Sequence, residues 1–256
     1  MRTEPASTSL APDQTTPDLD PIVPPDAEVI ITIDGPAGTG KSTVARLLAM
    51  RLGLDFLDTG AMYRAAAAIM LDRGIPLDEP GELVSAVIGA DLHFDWNADP
   101  PTMLAWNAPI DHRIRDEDVT EVVSRVAAIG ELRRHMVRKQ QVIAAQHPRL
   151  VSEGRDQGSI VFPNADLKFY LDAKPGVRAT RRAEQLREEG HEVDEAKMLT
   201  RILERDRIDS TRADGPLTCP DDAVRIDTSD LSVDEVIDEM ERVVRERVAS
   251  LVRAED

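Results

Sequence analysis

Residues 29–43 read Val29-Ile30-Ile31-Thr32-Ile33-Asp34-Gly35-Pro36-Ala37-Gly38-Thr39-Gly40-Lys41-Ser42-Thr43, and they decide the fold. The first five are β-branched, the composition of a parallel strand buried on both faces. Gly35 to Ser42 then fits Gly-x4-Gly-Lys-Ser/Thr, in which glycines let a loop curl so that its backbone amides point at phosphate oxygens. Apolar spacing predicts a helix from Lys41 to Leu52, whose positive end lies at the same point. A glycine-rich turn can match the pattern by accident, but a buried strand directly before it and a helix directly after are what phosphate binding requires. Gly35, Pro36, Ala37, Gly38, Thr39, Gly40, Lys41, Ser42 and Thr43 are therefore the candidate triphosphate-binding residues. Lys41 supplies a mobile cation for the β and γ phosphates, and the Ser42 hydroxyl is the candidate Mg²⁺ ligand.

Outward from this stretch, strand-like and helix-like patterns alternate. Leu54–Leu57 is a short strand, and Ala61–Arg73 is an Ala-rich helix closed by Gly74. Residues 91–112 hold both tryptophans and Pro100-Pro101, and read as an excursion of short strands. One long helical stretch runs from Glu117 to about Gln146, bent at Gly130. Leu150–Ser152 and Leu167–Leu171 read as core strands. Pro175 opens a helix that stops at Gly190, Asp194 caps the next, and Ala223–Ile226 is the last strand. Ser232-Val233-Asp234-Glu235 is a capping box that starts the closing helix. This alternation predicts a three-layer α/β fold around a parallel sheet. Residues 1–28 carry six of the 17 prolines and almost no large apolar residue, so they read as a disordered tail with the folded chain beginning near Glu28.

The 256 residues are 41% hydrophobic, enough for a sizeable core. Lys and Arg number 31 against 48 Asp and Glu, a net charge of −17 that would repel a nucleic-acid backbone. A local basic pocket for one small phosphate compound is still compatible with that field. With no run of about 18 apolar residues, no membrane span is expected, and no secretory pattern is seen at the N-terminus. The single cysteine, Cys219, fits a reducing cytoplasm.

Three further clusters stand out: Asp58-Thr59-Gly60-Ala61-Met62-Tyr63-Arg64, Glu153-Gly154-Arg155-Asp156, and Arg205-Asp206 with Asp209 and Arg212. Arg205, Asp209 and Arg212 of the last set share one helix face at i, i+4 and i+7. Each alone reads as a solvated salt-bridge face. However, two of them follow predicted parallel strands, and the loops at carboxyl ends of such strands are where α/β sheets place ligands. With the phosphate loop, and with Val161-Phe162-Pro163, these segments resemble the bacterial cytidylate kinases, a branch of the nucleoside monophosphate kinases. The resemblance runs from about Val29 to Val248.

It implies a P-loop kinase fold with a five-stranded parallel sheet, a monophosphate-binding insertion over about residues 60–130 and a helical lid over about 175–215. The implied reaction is ATP-dependent phosphorylation of CMP or dCMP with Mg²⁺, in a cytoplasmic enzyme that is a monomer by default. By the same resemblance, Thr59 and Arg64 lie near the CMP phosphate, and Ser124, Arg133 and Asp156 read the cytosine ring. Arg155 and Arg212 clamp the CMP phosphate, and Arg205 with Asp209 holds the pentose. Lys41, Arg155 and the lid arginines Arg178 and Arg182 are the implied catalytic set. Two rival readings stay open on sequence: another small-molecule kinase on the same core, of adenylate- or shikimate-kinase type, and a nucleotide-switched regulatory protein.

Overall fold

The computed structural model of the chain describes residues 21–255. Its centre is a five-stranded parallel sheet of β1 (Val29–Asp34), β2 (Asp55–Asp58), β6 (Arg149–Gly154), β7 (Leu167–Asp172) and β8 (Val224–Asp227). The spatial order is β2-β6-β1-β7-β8, so β1 lies between β6 and β7. Both faces are covered. On one, Ile31, Ile33, Val151, Phe169 and Leu171 pack with helices α1 (Lys41–Leu52) and α8 (Val233–Glu255). On the other, Leu57 and Leu150 pack with α2 (Thr59–Arg73), α3 (Pro80–Ala90), α4 (Glu117–Val126) and α5 (Gly130–Gln146). Neighbouring Leu150 and Val151 fall in opposite cores, as the two-residue period of a strand requires.

The expected excursion is a three-stranded antiparallel sheet of β3 (His93–Asp95), β4 (Thr102–Ala105) and β5 (Ala108–Pro109). Helices α6 (Pro175–Glu188) and α7 (Glu195–Thr211) form a hairpin with its own small core of Ala179, Met198 and Ile202. Asp194 caps α7 by accepting from the amides of Ala196 and Lys197 at 2.9 and 3.2 Å. The Ser232–Glu235 capping box is formed, with Ser232 N donating to Glu235 Oε2 at 2.8 Å. Among the described residues, no helix is long and apolar enough to cross a membrane.

Three expectations shift. The packed chain begins before Glu28, because Val23 is 1% exposed in the core beside Val29 and Ile31. Arg149 ties this segment down by donating to Ala27 O at 2.8 Å and to Pro24 O. The rest of the proline-rich tail, residues 1–20, lies outside the described residues. The single bent helix from Glu117 is two helices separated at Ala127–Ile129. There Arg133 donates to Ala127 O at 3.3 Å and so satisfies a carbonyl left free at the end of α4. Helix α2 starts two residues earlier than predicted, because Asp58 is its cap and accepts from Ala61 N at 3.0 Å.

Candidate active site

The strand register brings three carboxyl ends level with one another. Asp34 of β1 pairs with Gly154 of β6, and Asp58 of β2 pairs with Glu153. The phosphate loop, the start of α2 and the Arg155-Asp156 segment therefore open onto one edge of the sheet, the edge that carries ligands in parallel α/β folds.

On the triphosphate side, Gly35 to Gly40 curl between β1 and α1 as predicted. The Lys41 ammonium is buried and donates to Pro36 O at 2.7 Å. Burial, reinforced by the nearby Arg155 guanidinium, lowers its pKa to about 7. The Ser42 hydroxyl donates to Glu153 Oε1 at 2.8 Å. Burial and the neighbouring Asp58 charge push the Glu153 carboxyl up to about 7. Glu153 stands in sequence only as a member of the Glu153-Gly154-Arg155-Asp156 cluster, and folding alone brings it to Ser42.

On the acceptor side, Thr59, Arg64, Ser124, Arg133, Arg155, Asp156, Arg205, Asp209 and Arg212 all line one cavity, together with Tyr63. Five guanidinium groups face two carboxylates there, so the local field is positive in a chain of net charge −17. Ser124 sits in the last turn of α4 and Arg133 in the first turn of α5, and the break between these helices lets both reach the cavity. Arg133 pairs with Asp156, both about 3% exposed, and its guanidinium lies over the Tyr63 ring at 5.5 Å. Burial raises the pKa of Asp156, while Arg133 and Arg212 act against that shift. Arg155 Nε donates to Asp209 Oδ2 at 3.0 Å, and Arg155 with Arg205 keeps that buried carboxylate charged. Gly215 (φ +57°) crosses over the pair: a Cβ there would lie 2.4 Å from Arg133 Nη2 and 2.5 Å from Asp156 Oδ2.

Two buried donors in this lining, Arg205 Nε and Arg212 Nη2, have no hydrogen-bond partner among the described residues. Buried guanidinium N–H groups are normally paired, so these two can each take an acceptor that enters the cavity.

Some predicted residues serve differently. The Thr59 hydroxyl donates to Glu153 O at 2.7 Å, so its proton is committed to β6. Arg64 also reaches the segment before and into α4, donating to Ile114 O at 3.1 Å and Thr120 Oγ1 at 2.9 Å. Arg178 is 3% exposed and donates to Ala173 O, Ala37 O and Asp206 at 2.9, 2.9 and 2.7 Å. These contacts pin the phosphate loop to the α6–α7 hairpin. Each of the three Arg178 guanidinium nitrogens makes one of these bonds. Arg182 is half-buried and donates to Gln185 Oε1 at 2.7 Å, while its charge is felt at Arg64.

Comparison with known proteins agrees with this geometry. Residues 31–246 match the family model described as Cytidylate kinase. The cytidylate kinase of Nocardia farcinica is 43% identical over 225 residues, covering 88% of this chain and 97% of that protein. That of Rhodococcus opacus is 42% identical over 221 residues, covering 86% and 96%. That of Methylococcus capsulatus is 44% identical over 208 residues, covering 81% and 93%. A phosphate loop and an arginine-lined acceptor cavity on one sheet edge, in a chain matched along nearly all its described length, place this protein in the cytidylate kinase family.

Proposed function

We infer that the protein transfers the γ-phosphoryl group of ATP to CMP or dCMP, giving ADP and CDP or dCDP. The observation that carries the assignment of the acceptor cavity is the pair of unpartnered buried donors, Arg205 Nε and Arg212 Nη2, in a lining of five arginines. Phosphoryl transfer needs two nucleotides held in line and the charge on the moving group neutralised, and little covalent chemistry from the protein. Lys41 and the loop amides hold the ATP phosphates, while Arg155 and Arg212 hold the acceptor phosphate. Arg205 and Asp209 hold the pentose, and Asp156 with Arg133 and Ser124 reads the base. Arg182, on the hairpin, is the remaining lid arginine for the transferred group.

The donor set fits Mg²⁺. Ser42 Oγ is a hard oxygen donor at the mouth of the loop, 2.8 Å from Glu153 Oε1. Mg²⁺ takes only one or two protein oxygens and completes its shell with water and phosphate. When bound, the ion supplies charge neutralisation on the β and γ phosphate oxygens. Ser42 is the direct ligand, and Glu153 orients it by accepting its hydrogen bond.

The protonation of the loop gives a signed prediction. At pH 7 a Lys41 amine with a pKa of about 7 is half charged, and phosphate anions favour its charged form. ATP in EDTA should therefore be bound with net proton uptake at pH 7, since the phosphate charge favours the protonated forms of both Lys41 and Glu153. The measurement is calorimetry in two buffers of different ionisation enthalpy. Mg²⁺ favours the ionised Glu153 carboxylate, so the uptake should shrink or reverse when the metal is supplied. Proton release in EDTA would overturn the assignment.

The reaction itself is tested by an ADP-release assay across CMP, dCMP, UMP, AMP and shikimate. CMP or dCMP should be the preferred acceptor. Preference for any other acceptor, or ATP turnover indifferent to CMP, would refute it.

A further inference from the structure

Asp34 ends β1 directly before Gly35, and although Lys41 feels its charge, both of its carboxylate oxygens are taken by backbone amides of another segment. Its Oδ1 accepts from Gln157 N at 2.9 Å, and its Oδ2 accepts from Gly158 N at 2.7 Å. These amides open the π-helical turn Gln157–Val161, which follows immediately on Arg155 and Asp156. The first amides of any helical turn lack partners within it. Here no side chain of the turn's own start caps them. The cap comes instead from a strand 123 residues earlier in the chain. The carbonyl of Asp156 is fixed from the other side, accepting from Ile160 N at 2.9 Å and Val161 N at 3.1 Å. The fit against β1 leaves no slack, since a Cβ on Gly158 would meet Thr32 Oγ1 at 2.9 Å and Lys168 Cδ at 3.1 Å.

We propose that Asp34 is a positioning residue: it caps the turn after Arg155-Asp156 and so sets the base- and phosphate-binding side chains of the acceptor site in register with the phosphate loop. Its backbone continues into Gly35 of that loop, so one residue joins the two nucleotide sites. A buried carboxylate is a costly way to hold a turn. Desolvation raises the Asp34 pKa to about 6 against the two amide hydrogen bonds. A neutral side chain would cost less to bury, so the carboxylate contributes geometry more than stability. Asparagine keeps the shape but offers one oxygen; its NH₂ would face the second amide, donor against donor.

The inference rests on the assignment of Asp156 and Arg155 to the acceptor. Steady-state kinetics of D34N with each substrate varied is the test, alongside its melting temperature. The KM for CMP should rise at least about tenfold and the CMP-to-UMP ratio of kcat/KM should fall by at least about tenfold, while the KM for ATP stays within about threefold. The melting temperature should stay within about 4 °C of wild type. An unchanged KM for CMP, or equal rises for both substrates, would overturn the proposal. Asp34→Ser keeps a hydroxyl acceptor for one amide and is the second variant, expected to show the same split. If neither variant folds, the role is structural and the proposal is wrong. Wild-type enzyme without CMP activity would instead refute the proposed function, and unchanged base preference in Asp156→Ala would refute the base-reading assignment alone.

Discussion

Lys41→Ala is expected to lower kcat by about 10²–10³, the usual effect of removing one preorganised charge from a transition state. The KM for CMP should change little. Lys41 lies buried within the phosphate loop, its Nζ 2.7 Å from Pro36 O, while none of the acceptor residues depends on it for a hydrogen bond. The ammonium must leave that carbonyl for the β and γ phosphates, where charge shifts as the phosphoryl group moves. Its effect therefore falls on the transfer step. The measurement is kcat and the two KM values by ADP release. A kcat within about tenfold of wild type would mean that the loop is not the triphosphate site. Arg155 is the second cation near Lys41, but its Nε is held by Asp209 at 3.0 Å, so it cannot swing in to replace the lost charge.

Asp156→Ala should erode the preference for CMP over UMP and cost about 2–4 kcal/mol of transition-state binding for CMP, a loss of roughly 30- to 1,000-fold in kcat/KM. Cytosine offers an amine donor and a ring-nitrogen acceptor where uracil offers a carbonyl and an N–H. An ionised carboxylate accepts only, so Asp156 suits the cytosine amine and repels the uracil carbonyl. The structure adds a second contribution. Asp156 and Arg133 are a buried pair, with Arg212 Nη2 3.8 Å from Asp156 Oδ1. Truncating the carboxylate also strands two guanidinium groups. Asp156→Asn separates the two effects, because it keeps the shape and supplies an NH₂ that can meet the uracil carbonyl. Its CMP-to-UMP ratio should move further toward UMP than that of the alanine variant. Arg205→Ala, acting on the pentose, should weaken both nucleotides about equally. An unchanged ratio in both Asp156 variants would leave Asp156 as a holder of Arg133 and nothing more.

What could be read from the sequence is what local chemistry dictates. The β-branched run before Gly35, the glycine stops at Gly53 and Gly74, the Asp194 cap and the Ser232–Glu235 box each act within a few residues of themselves. The sharing of one face by Arg205, Asp209 and Arg212 follows from the helical period alone, and all three line the cavity. The resemblance of whole motifs supplied the other acceptor residues, again on segments contiguous in the chain. Only the tertiary structure decided how these segments meet. The order β2-β6-β1-β7-β8 sets Asp58 beside Glu153 and Asp34 beside Gly154, and no sequence period encodes those pairings. The burial of Val23, the break at Ala127–Ile129, the Arg178 pin and the Asp34 cap also depend on partners brought close by folding. A charged side chain looks the same in sequence whether it awaits a ligand or holds a distant carbonyl. Arg178 and Arg205 were both read as ligand-facing arginines. The structure engages all three nitrogens of the first and leaves Nε of the second without a hydrogen-bond partner, because packing, not the sequence of charges, determines which acceptors come within reach.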